Sequence, residues 1–521
     1  MLKLKPSSFD WALAHVNRFN DTDVLPLPFE YLAIDHGWSE IKSYLVAQDI
    51  LQWKVYAPRT LLAPKSRYAF RVVTQLDPLD FLVFAALIRE IAEDVETIRV
   101  PASQNVVFSY RILPAADGQL FDPSIGYDDF LKESEELLKD KEITHVALAD
   151  IADFYPRIYH HRLQNALSNA TGRQQHVLAI MNLLSGWNGT ETFGIPVGNA
   201  PSRVLAEITI SDIDDALFAN GIKFVRYNDD YRFFINNHAE AYRALAFLAE
   251  VLYRNHGLTL QPQKTFVLPA KDFRHRYLFT PEEREIDSLY DKFQQLVKEL
   301  GLSNPYEEID YSDLSQEQQE LIDSLNLIEL FQEEIEKTDI DFGIIKFVLR
   351  RMGQLGDDSL VDMIFETLDT LYPAFSDIIQ YFSNLRNLAT KRYHEIGERV
   401  LDLLEESLVS ELEYHRIWAL DLFTHTTQWD NESRFFKMLG EARDAFSRRK
   451  LILAMGRAHQ RHWFQSQWRN LTNESPWPRR ALLAAASCMP PDARKHWYKS
   501  IMPQLDELEK LVVNWVKANP F

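Results

Sequence analysis

The sequence predicts an α+β domain followed by an all-α region. In the first half, a strand, two helices, a β-hairpin, a helix and a further β segment follow one another, an order typical of one sheet covered by helices. After about residue 280 the strand signals end, and acidic amphipathic helices continue towards the C-terminus. We therefore expect an α+β domain over residues 1–280, an acidic helical junction over 281–340 and an α-helical domain over 341–521.

The composition is that of a folded protein without a broad basic surface. The chain has 521 residues, of which 46% are hydrophobic and 12% aromatic, so there is ample material for a core. Its formal net charge is −20. Proteins that hold long duplex nucleic acid normally carry a basic footprint for the phosphates. Any nucleic acid is therefore expected to be held locally, and binding of a long duplex is not expected.

The N-terminus and the single cysteine indicate a cytosolic protein. No run of 18 apolar residues free of charge occurs, and the first residues lack the apolar core of a signal peptide. Cys488 is the only cysteine, which excludes an intramolecular disulfide and a thiolate metal cluster. We expect no membrane segment.

The N-terminal part, to about residue 140, mixes short helical and strand patterns. A locally basic stretch, Ala57–Val73, precedes a mostly apolar run, Phe81–Ile91, which predicts a buried helix. Residues 143–151 form a short apolar strand pattern that places Asp150 at its end. Pro156 suits the first turn of a helix that would run to about residue 168.

The sequence after residue 200 predicts two helices, a β-hairpin and a further β segment. A helix is expected to start near Pro201, and a hairpin is expected over 224–235, where two β-forming runs flank the turn residues that include Asp229 and Asp230. A helix over 239–255 follows. The segment 257–268 is predicted to be a further β segment and carries Lys264.

Beyond residue 340, apolar residues recur at helical spacing and the intervening breaks are short. This pattern predicts stacked helical hairpins of the HEAT-like type, and an irregular helical bundle is the alternative. The apolar positions fall in three groups: Ile345, Val348, Leu349 and Met352; Val361, Ile364, Phe365 and Leu368; Ile378, Tyr381, Phe382 and Leu385.

Three carboxylates are candidate metal ligands. Two-metal phosphoryl transfer needs acidic side chains around a pair of divalent ions. Mg²⁺ prefers oxygen ligands, so Asp150, Asp229 and Asp230 suit it and no histidine or cysteine is needed. They can converge only if the strand and the hairpin pair in one sheet. The alternative for Asp229 and Asp230 alone is a solvated turn.

Four segments in order resemble successive motifs of reverse transcriptases. They are Ala149–Ile158, Gly194–Glu207, Tyr227–Asp230 and Gly257–Thr265. With the basic stretch before them, the resemblance covers roughly residues 55–275. It implies a fingers and palm fold and a nucleotidyltransferase that uses two Mg²⁺ ions, with Mn²⁺ as a possible substitute.

The resemblance implies roles for individual residues around the metal ions. Asp150 and Asp229 match the principal metal ligands, and Asp230 matches the second aspartate of the Tyr-x-Asp-Asp motif. Lys264 matches a lysine that can protonate the leaving pyrophosphate. Tyr155 matches the aromatic steric gate that selects dNTPs. A surface lysine and a packed aromatic ring are the alternatives for these last two.

The resemblance also implies a nucleotide-binding surface. Four residues match the loop that passes beneath the nascent base pair, where glycine allows close approach of the backbone. They are Gly194, Pro196, Gly198 and Ser202. Lys65 and Arg71 fall where the fingers grip the triphosphate, and Arg suits such bidentate contacts. The alternative for both is an exposed charge.

Differences from the common reverse transcriptase motifs indicate which group of the family the sequence resembles most. Val197 stands where most reverse transcriptases have glutamine, and no basic thumb follows Lys264. A polymerase core with an acidic helical C-terminal domain and no recognisable thumb is most similar to the abortive-infection (Abi) reverse transcriptases of bacterial phage defence, the AbiK and P2-prophage type. That family implies untemplated single-stranded DNA synthesis primed from a protein tyrosine, a homo-oligomer and a location in the bacterial cytosol.

Two other functions stay open on the sequence. One is an RNA-templated reverse transcriptase of the retron or group II intron kind. The other is a non-catalytic phage-sensing or scaffold protein that uses the helical domain to bind partners. The retained Asp150, Asp229, Asp230 and Lys264 count against the second, because clustered carboxylates are costly without a cation.

Overall fold

The computed structural model describes most of the chain. The described residues are 1–278, 327–429, 432–442, 444–467 and 471–521. Most of the predicted junction, residues 281–326, lies outside them. None of the described helices is long and apolar enough to cross a lipid bilayer.

The chain divides into two compact units that do not follow a single cut in the sequence. The described part of the first unit comprises residues 1–24, 45–60 and 73–278. That of the second comprises residues 25–44 and 61–72 and the described residues from 327 onwards. The units are described separately below.

The described helices and strands before residue 279 are numbered here in chain order. The helices are α1 (Pro6–Phe19), α2 (Glu30–His36), α3 (Trp38–Ala47), α4 (Pro78–Ile98), α5 (Tyr127–Leu137), α6 (Phe154–Arg157), α7 (His160–Ala170), α8 (Gln174–Asn188), α9 (Ala200–Thr209), α10 (Ser211–Ala219), α11 (His238–Val251) and α12 (Ala270–Phe273). The strands are β1 (Arg59–Ser66), β2 (Ala69–Gln75), β3 (His145–Asp150), β4 (Phe224–Tyr227), β5 (Asp230–Ile235) and β6 (Phe266–Pro269).

The first unit is built on a four-stranded antiparallel sheet of order β4-β5-β3-β6. Central strand β3 has four consecutive buried residues, as expected of a strand flanked on both sides by neighbours and covered by helices. Helix α11 packs against β3 and β5, and α5 packs against β4. The predicted α+β fold, with the hairpin and the Asp150 strand in one sheet, is confirmed.

The core of this unit lies between the sheet and its helices. Its buried members come from β3, β4 and β5 and from the helices on either side, and include Phe108, Phe130, Val146, Leu148, Val225, Phe234 and Phe273. Helix α4 is buried along most of its length and packs against α1, α7, α8 and α9. The predicted helix at 81–91 is therefore confirmed and extends further in both directions.

A buried carboxyl group joins α4 to its neighbours. The Asp80 carboxylate accepts hydrogen bonds from the indole N–H groups of Trp53 at 2.8 Å and Trp187 at 3.1 Å, and from the backbone N–H of Tyr56 at 2.9 Å. Burial, together with the charge of Asp77, raises the pKa of Asp80 to about 7. These three donors stabilise the charged form, but burial has the larger effect.

Two predicted helices are each broken in two. The helix expected to run from Pro156 ends at Arg157, because the next residues are extended and pair with a second segment: Tyr159 forms an antiparallel bridge with Phe193, and Gly194 N–H donates to Ile158 C=O at 2.8 Å. The helix near Pro201 breaks at Ile210. There Thr209 and Ser211 hydroxyls bond to carbonyls of the preceding turn, which competes with helix continuation.

The prediction that Lys264 lies in a β segment over residues 257–268 is wrong. Pro262–Lys264 forms a single 3₁₀ turn, and β6 starts only at Phe266. Pro262 lacks an N–H group and cannot join a sheet ladder, which explains the turn. Before it, Leu260 makes an isolated antiparallel bridge with Ile151, so the segment still touches the end of β3.

The second unit is almost wholly helical in its described part. Its C-terminal helices are α13 (Leu327–Ile335), α14 (Phe342–Leu355), α15 (Val361–Glu366), α16 (Leu368–Leu371), α17 (Phe375–Asn384), α18 (Thr390–Glu406), α19 (Leu408–Glu411), α20 (Glu413–His425), α21 (Glu432–Glu441), α22 (Ala445–Arg457), α23 (Arg461–Ser466), α24 (Pro476–Ala485), α25 (Pro491–Ile501) and α26 (Glu507–Ala518).

These helices stack in a row. Helix α14 packs on α17, α17 on α20, α20 on α22, and α22 on α24. All three groups of predicted apolar positions fall in described helices or directly after them. The large helical C-terminal region is thus confirmed, whereas its HEAT-like repeat type stays a prediction.

The N-terminal helix α2 packs within this second unit, against α26. Glu30, fully buried, accepts two hydrogen bonds from the Arg449 guanidinium at 2.5 and 2.6 Å, and one from Arg480 at 2.9 Å. Burial raises the pKa of Glu30, but the two guanidinium charges outweigh it and lower the pKa below its usual value. A bidentate, buried ion pair of this kind depends on both partners being present.

Candidate active site

The first unit brings the three predicted carboxylates to one edge of its sheet. Asp150 ends β3 and Asp230 begins β5, and the two are directly paired in the antiparallel register. Asp229 precedes β5 in the hairpin turn, and its C=O accepts the N–H of Ile151 at 3.2 Å. The predicted condition, that strand and hairpin pair in one sheet, is therefore met by the backbone.

Lys264 lies against Asp150. Its ammonium donates to Asp150 Oδ2 at 2.5 Å, although the two residues are 114 positions apart in sequence. The 3₁₀ turn that carries Lys264 is anchored by Gln261 N–H, which donates to the C=O of Asp150 at 2.7 Å. Partial burial lowers the pKa of Lys264, but its bond to Asp150 and the other two carboxylates raise it above its usual value.

Repulsion among the carboxylates is visible at Asp230. Burial raises its pKa to about 6; Arg232 opposes this shift, while the charges of Asp229 and Asp150 add to it. A cation near these groups would offset both the lost hydration and the repulsion. Arg232 and the Lys264 ammonium supply part of that compensation.

The hairpin turn is shaped by Asn228, which the sequence analysis did not single out. Asn228 has a φ of +54°, in the left-handed region that asparagine tolerates. Its side-chain N–H donates to Asp229 Oδ1 at 2.9 Å. Its Oδ1 accepts from the Tyr155 hydroxyl at 3.4 Å, a long bond that links the turn to Tyr155. The Asn-Asp pair in the sequence predicted a turn, but it did not predict the hydrogen bond between Asn228 and Tyr155.

Beneath the turn lies a buried ionic network. Arg226 is fully buried and donates to Asp214 at 2.5 and 2.8 Å, and to Glu207 at 2.9 Å. It also donates to the C=O of Asn228 at 2.8 Å, which fixes the turn from below. Arg99 adds a second cation on Glu207 at 2.6 Å. In the sequence, an arginine within an apolar strand pattern indicates a buried ion pair. That Asp214 and Glu207 are the partners of Arg226 is shown only by the fold.

The predicted loop 194–202 packs against the segment that carries Tyr155. Ile195 N–H donates to the C=O of Tyr155 at 3.2 Å, and Pro196 is buried. Gly194 and Gly198 have φ values of +90° and +107°, which favour glycine, and a Cβ on Gly198 would lie 2.7 Å from Thr22 Oγ1. Ser202 is buried, and its hydroxyl has no hydrogen-bond partner in the described residues.

The side chains of Tyr155 and Arg203 interact electrostatically. Burial raises the pKa of Tyr155 well above its usual range, with contributions from Tyr110, Glu207 and Asp229 that exceed the opposing effect of Arg203. Arg203 stacks over the Tyr110 ring, 5.1 Å from its centre, and forms an ion pair with Asp23 at 2.7 Å. The Tyr155 hydroxyl is therefore protonated and is an uncharged donor at neutral pH.

Lys65 and Arg71 belong to a different unit from the carboxylates. Both are exposed residues of the β1–β2 hairpin, and both belong to the second unit. Within that unit the neighbouring Arg67 donates to the C=O of Thr338 at 3.1 Å. The contacts that define the carboxylate site, all within the first unit, do not include them.

The acidic donor set fits a hard divalent cation. Across the described ranges, no three acidic, histidine or cysteine side chains converge closely enough to hold an ion as they stand. The paired strand ends nevertheless bring together Asp150, Asp229 and Asp230. The Lys264 ammonium is bonded to Asp150, and the pKa of Asp230 is raised. Such oxygen-only ligands suit Mg²⁺ or Mn²⁺.

Comparison with known families decides the class of this unit. Residues 97–303 match the family described as reverse transcriptase (RNA-dependent DNA polymerase). This segment is a reverse transcriptase domain. It contains all three carboxylates, Lys264 and the 194–202 loop, and it places the domain among the nucleotidyltransferases. Lys65 and Arg71 precede the matched segment.

Among solved structures, the chain is similar to telomerases at low scores. Telomerase from Candida albicans with a fragment of telomeric RNA matches with 13% identity and a TM-score of 0.31, over 75% of this chain and 70% of that one. Telomerase from Candida tropicalis matches with 13% identity and a TM-score of 0.32 over 70% and 67%, and its apo form with 11% and 0.32 over 74% and 73%. No curated protein matches the chain.

Proposed function

We propose that the protein is a DNA polymerase of the abortive-infection reverse transcriptase type. In this proposal it uses dNTPs and two Mg²⁺ ions, with Mn²⁺ able to replace them, to make untemplated single-stranded DNA in defence against phage. The DNA grows from a tyrosine of the protein, and the protein acts in the bacterial cytosol as a homo-oligomer. The observation that carries the catalytic part is the meeting of Asp150, Asp229 and Asp230 at paired strand ends, with Lys264 bonded to Asp150.

Each residue of the site has a role in this proposal. Asp150, Asp229 and Asp230 hold the ions, which supply activation of the attacking hydroxyl and stabilisation of charge on the pyrophosphate when bound. Lys264, within hydrogen-bond reach of Asp150, donates a proton to the leaving pyrophosphate. The network around Arg226 holds the turn that carries Asp229 in place.

The nucleotide is selected by the surface next to these groups. In this proposal the ring of Tyr155 blocks a 2′-hydroxyl, and its hydrogen bond to Asn228, in the turn that carries Asp229, supports that role. The loop with Gly194, Pro196, Gly198 and Ser202 is proposed to pass under the new base, and the positive φ angles of its two glycines support this role. Lys65 and Arg71 are proposed to contact the triphosphate, because their exposed side chains are positively charged.

We also propose the three-part organisation predicted from the sequence. Residues 1–280 form the fingers and palm, 281–340 the acidic junction, and 341–521 a HEAT-like helical domain. The stacked row α14, α17, α20, α22 and α24 supports the last assignment. This assignment needs one change, because the helical unit also contains residues 25–44 and 61–72 from the N-terminal part of the chain.

The test is DNA synthesis by the purified full-length protein. Incubated with dNTPs and Mg²⁺ alone, the protein should incorporate labelled nucleotide into material that stays with it after denaturation. Asp229→Asn should abolish incorporation. Asp140→Asn, which makes the same charge change at a partly exposed residue bonded to Lys223, should not.

An RNA-templated reverse transcriptase is the second candidate. It is favoured by the matched family, whose members are RNA-dependent DNA polymerases. Synthesis that requires both an added RNA template and an annealed primer would support it and would refute untemplated, protein-primed synthesis. Phage protection that survives Asp150→Asn would refute both and would favour a non-catalytic scaffold.

A further inference from the structure

A basic, aromatic groove lies on the first unit beside the candidate active site. It has a volume of about 380 Å³ and is lined by three arginines, a histidine and two aromatic residues, without an acidic side chain. The whole chain has 76 acidic and 56 basic residues, so a groove of this composition is unlike the protein as a whole. A concentration of positive charge here therefore points to an anionic ligand.

Two of its arginines form no ion pair in the described part of the chain, although Arg162 also lines a second cavity that contains Asp212 and Asp215. Arg254 forms an exposed ion pair with Glu250 at 2.8 Å. In contrast, the guanidinium groups of Arg157 and Arg162 make no hydrogen bond or ion pair to any described residue. Nearby Asp212 is held by hydrogen bonds to the side chains of Asn255 at 3.0 Å and His256 at 2.8 Å. Arg157 and Arg162 are available for phosphate groups.

Two exposed aromatic rings stand between these charges. Tyr159 is 44% exposed and Phe193 is 40% exposed, and they belong to paired positions of a short antiparallel bridge. Their backbones are fixed by Gly194 N–H to Ile158 C=O at 2.8 Å and by His160 N–H to Thr192 C=O at 2.9 Å. Fixed, exposed rings next to arginines are the elements with which proteins bind single-stranded nucleic acid.

Both walls of the groove continue into the carboxylate site. One wall, carrying Tyr159, is four residues beyond Tyr155, which limits the separation of their Cα atoms to about 14 Å. The other wall, carrying Arg254, leads through Gly257 to Thr259, whose C=O accepts the N–H of Ala152 at 2.9 Å next to Asp150. A strand that leaves the carboxylate site on this side meets the groove within a few nucleotides.

We propose that this groove binds the single-stranded DNA made by the protein, with phosphates on Arg157 and Arg162 and bases stacked on Tyr159 and Phe193. The identity of the strand as product rests on the proposed function. The binding itself does not. The groove also accounts for an acidic protein that handles DNA, because a single strand needs only a local basic path and not a broad basic face.

The test measures binding without synthesis. Full-length Asp229→Asn protein is titrated against a fluorescein-labelled oligothymidylate of about twelve nucleotides, and the dissociation constant is measured by fluorescence anisotropy at several salt concentrations. Adding Tyr159→Ala should weaken binding about tenfold, because one stacked base is lost. Adding Arg157→Gln with Arg162→Gln should weaken binding and reduce the slope of log affinity against log salt by about 1.4, since each phosphate contact contributes about 0.7.

Matched controls come from helix α11 of the same unit. Tyr242→Ala removes a ring that is 78% exposed, and Arg243→Gln removes an exposed guanidinium, so neither should change affinity or salt slope. Affinity unchanged in both groove variants, or absence of oligonucleotide binding, would overturn the proposal. So would groove variants that lose affinity for dATP alone while oligonucleotide binding stays intact. If the wild-type protein makes no DNA but the groove variants still lose binding, the proposed function fails and the groove assignment stands.

Discussion

Replacement of Lys264 by methionine distinguishes the contribution of this residue to the reaction rate from its contribution to the free energy of unfolding. The Lys264 side chain is 51% exposed, so its ion pair with Asp150 is screened by water and contributes at most about 1 kcal/mol to the free energy of unfolding. A lysine that protonates the leaving pyrophosphate, however, contributes roughly 10²–10⁴-fold to the rate. We therefore expect Lys264→Met to lower kcat by at least about 100-fold with little change in the urea midpoint.

A second substitution distinguishes proton donation from charge. Lys264→Arg keeps a cation beside Asp150, but guanidinium does not release a proton in proteins, so kcat should stay low while KM for dNTP remains close to that of the wild type. Lys271→Met is the control, because Lys271 is exposed on α12 in the same unit. The assay is single-nucleotide incorporation at saturating dNTP, paired with urea denaturation of each variant.

Two results would refute this reasoning. A kcat for Lys264→Met within about threefold of the wild type would mean that Lys264 is an ordinary surface lysine. Full activity of Lys264→Arg would mean that charge near Asp150, and not proton transfer, is what the site requires.

Three further predictions concern residues around the site and in the core. Tyr155→Ala should reduce the preference for dNTPs over rNTPs by about tenfold or more in competition assays, and an unchanged preference would argue against a steric gate. Arg226→Met leaves two carboxylates buried without their main cation and should cost about 3–5 kcal/mol in urea unfolding, so a loss below about 1 kcal/mol would contradict the network. Because burial raises the pKa of Asp80 to about 7, the folded state retains its proton between about pH 4 and 7, and stability falls as the pH rises through that range. Asp80→Asn should flatten this dependence in melts at several pH values, and a parallel curve would refute it.

The predictions that succeeded depend on local sequence. The hairpin over 224–235 follows from β-forming runs around Asn228 and Asp229, and the structure has β4 and β5 there. The strand that ends at Asp150 and the long apolar helix α4 were likewise readable from hydrophobic pattern. Their joint consequence, that Asp150 and Asp230 pair, required only that strand and hairpin share a sheet.

The predictions that failed depend on contacts between distant segments. Helix α6 stops at Arg157 because Tyr159 pairs with Phe193, which no pattern near Pro156 could indicate. The roles of Glu207 and Asp214 depend on a buried arginine from another element. The nucleotide contacts of Lys65 and Arg71 stay a prediction, since the sequence showed a basic stretch there but not the unit to which it belongs.

The burial of Glu30 limits how such a protein can be cut or recombined. Because residues 25–44 belong to the helical unit while residues 1–24 and 45–60 belong to the other, the chain has no single point at which the two can be exchanged as cassettes. A fragment that starts after residue 326 would keep Arg449 and Arg480 without the carboxylate between them. Replacement of the helical unit therefore requires the exchange of several chain segments together, including residues 25–44.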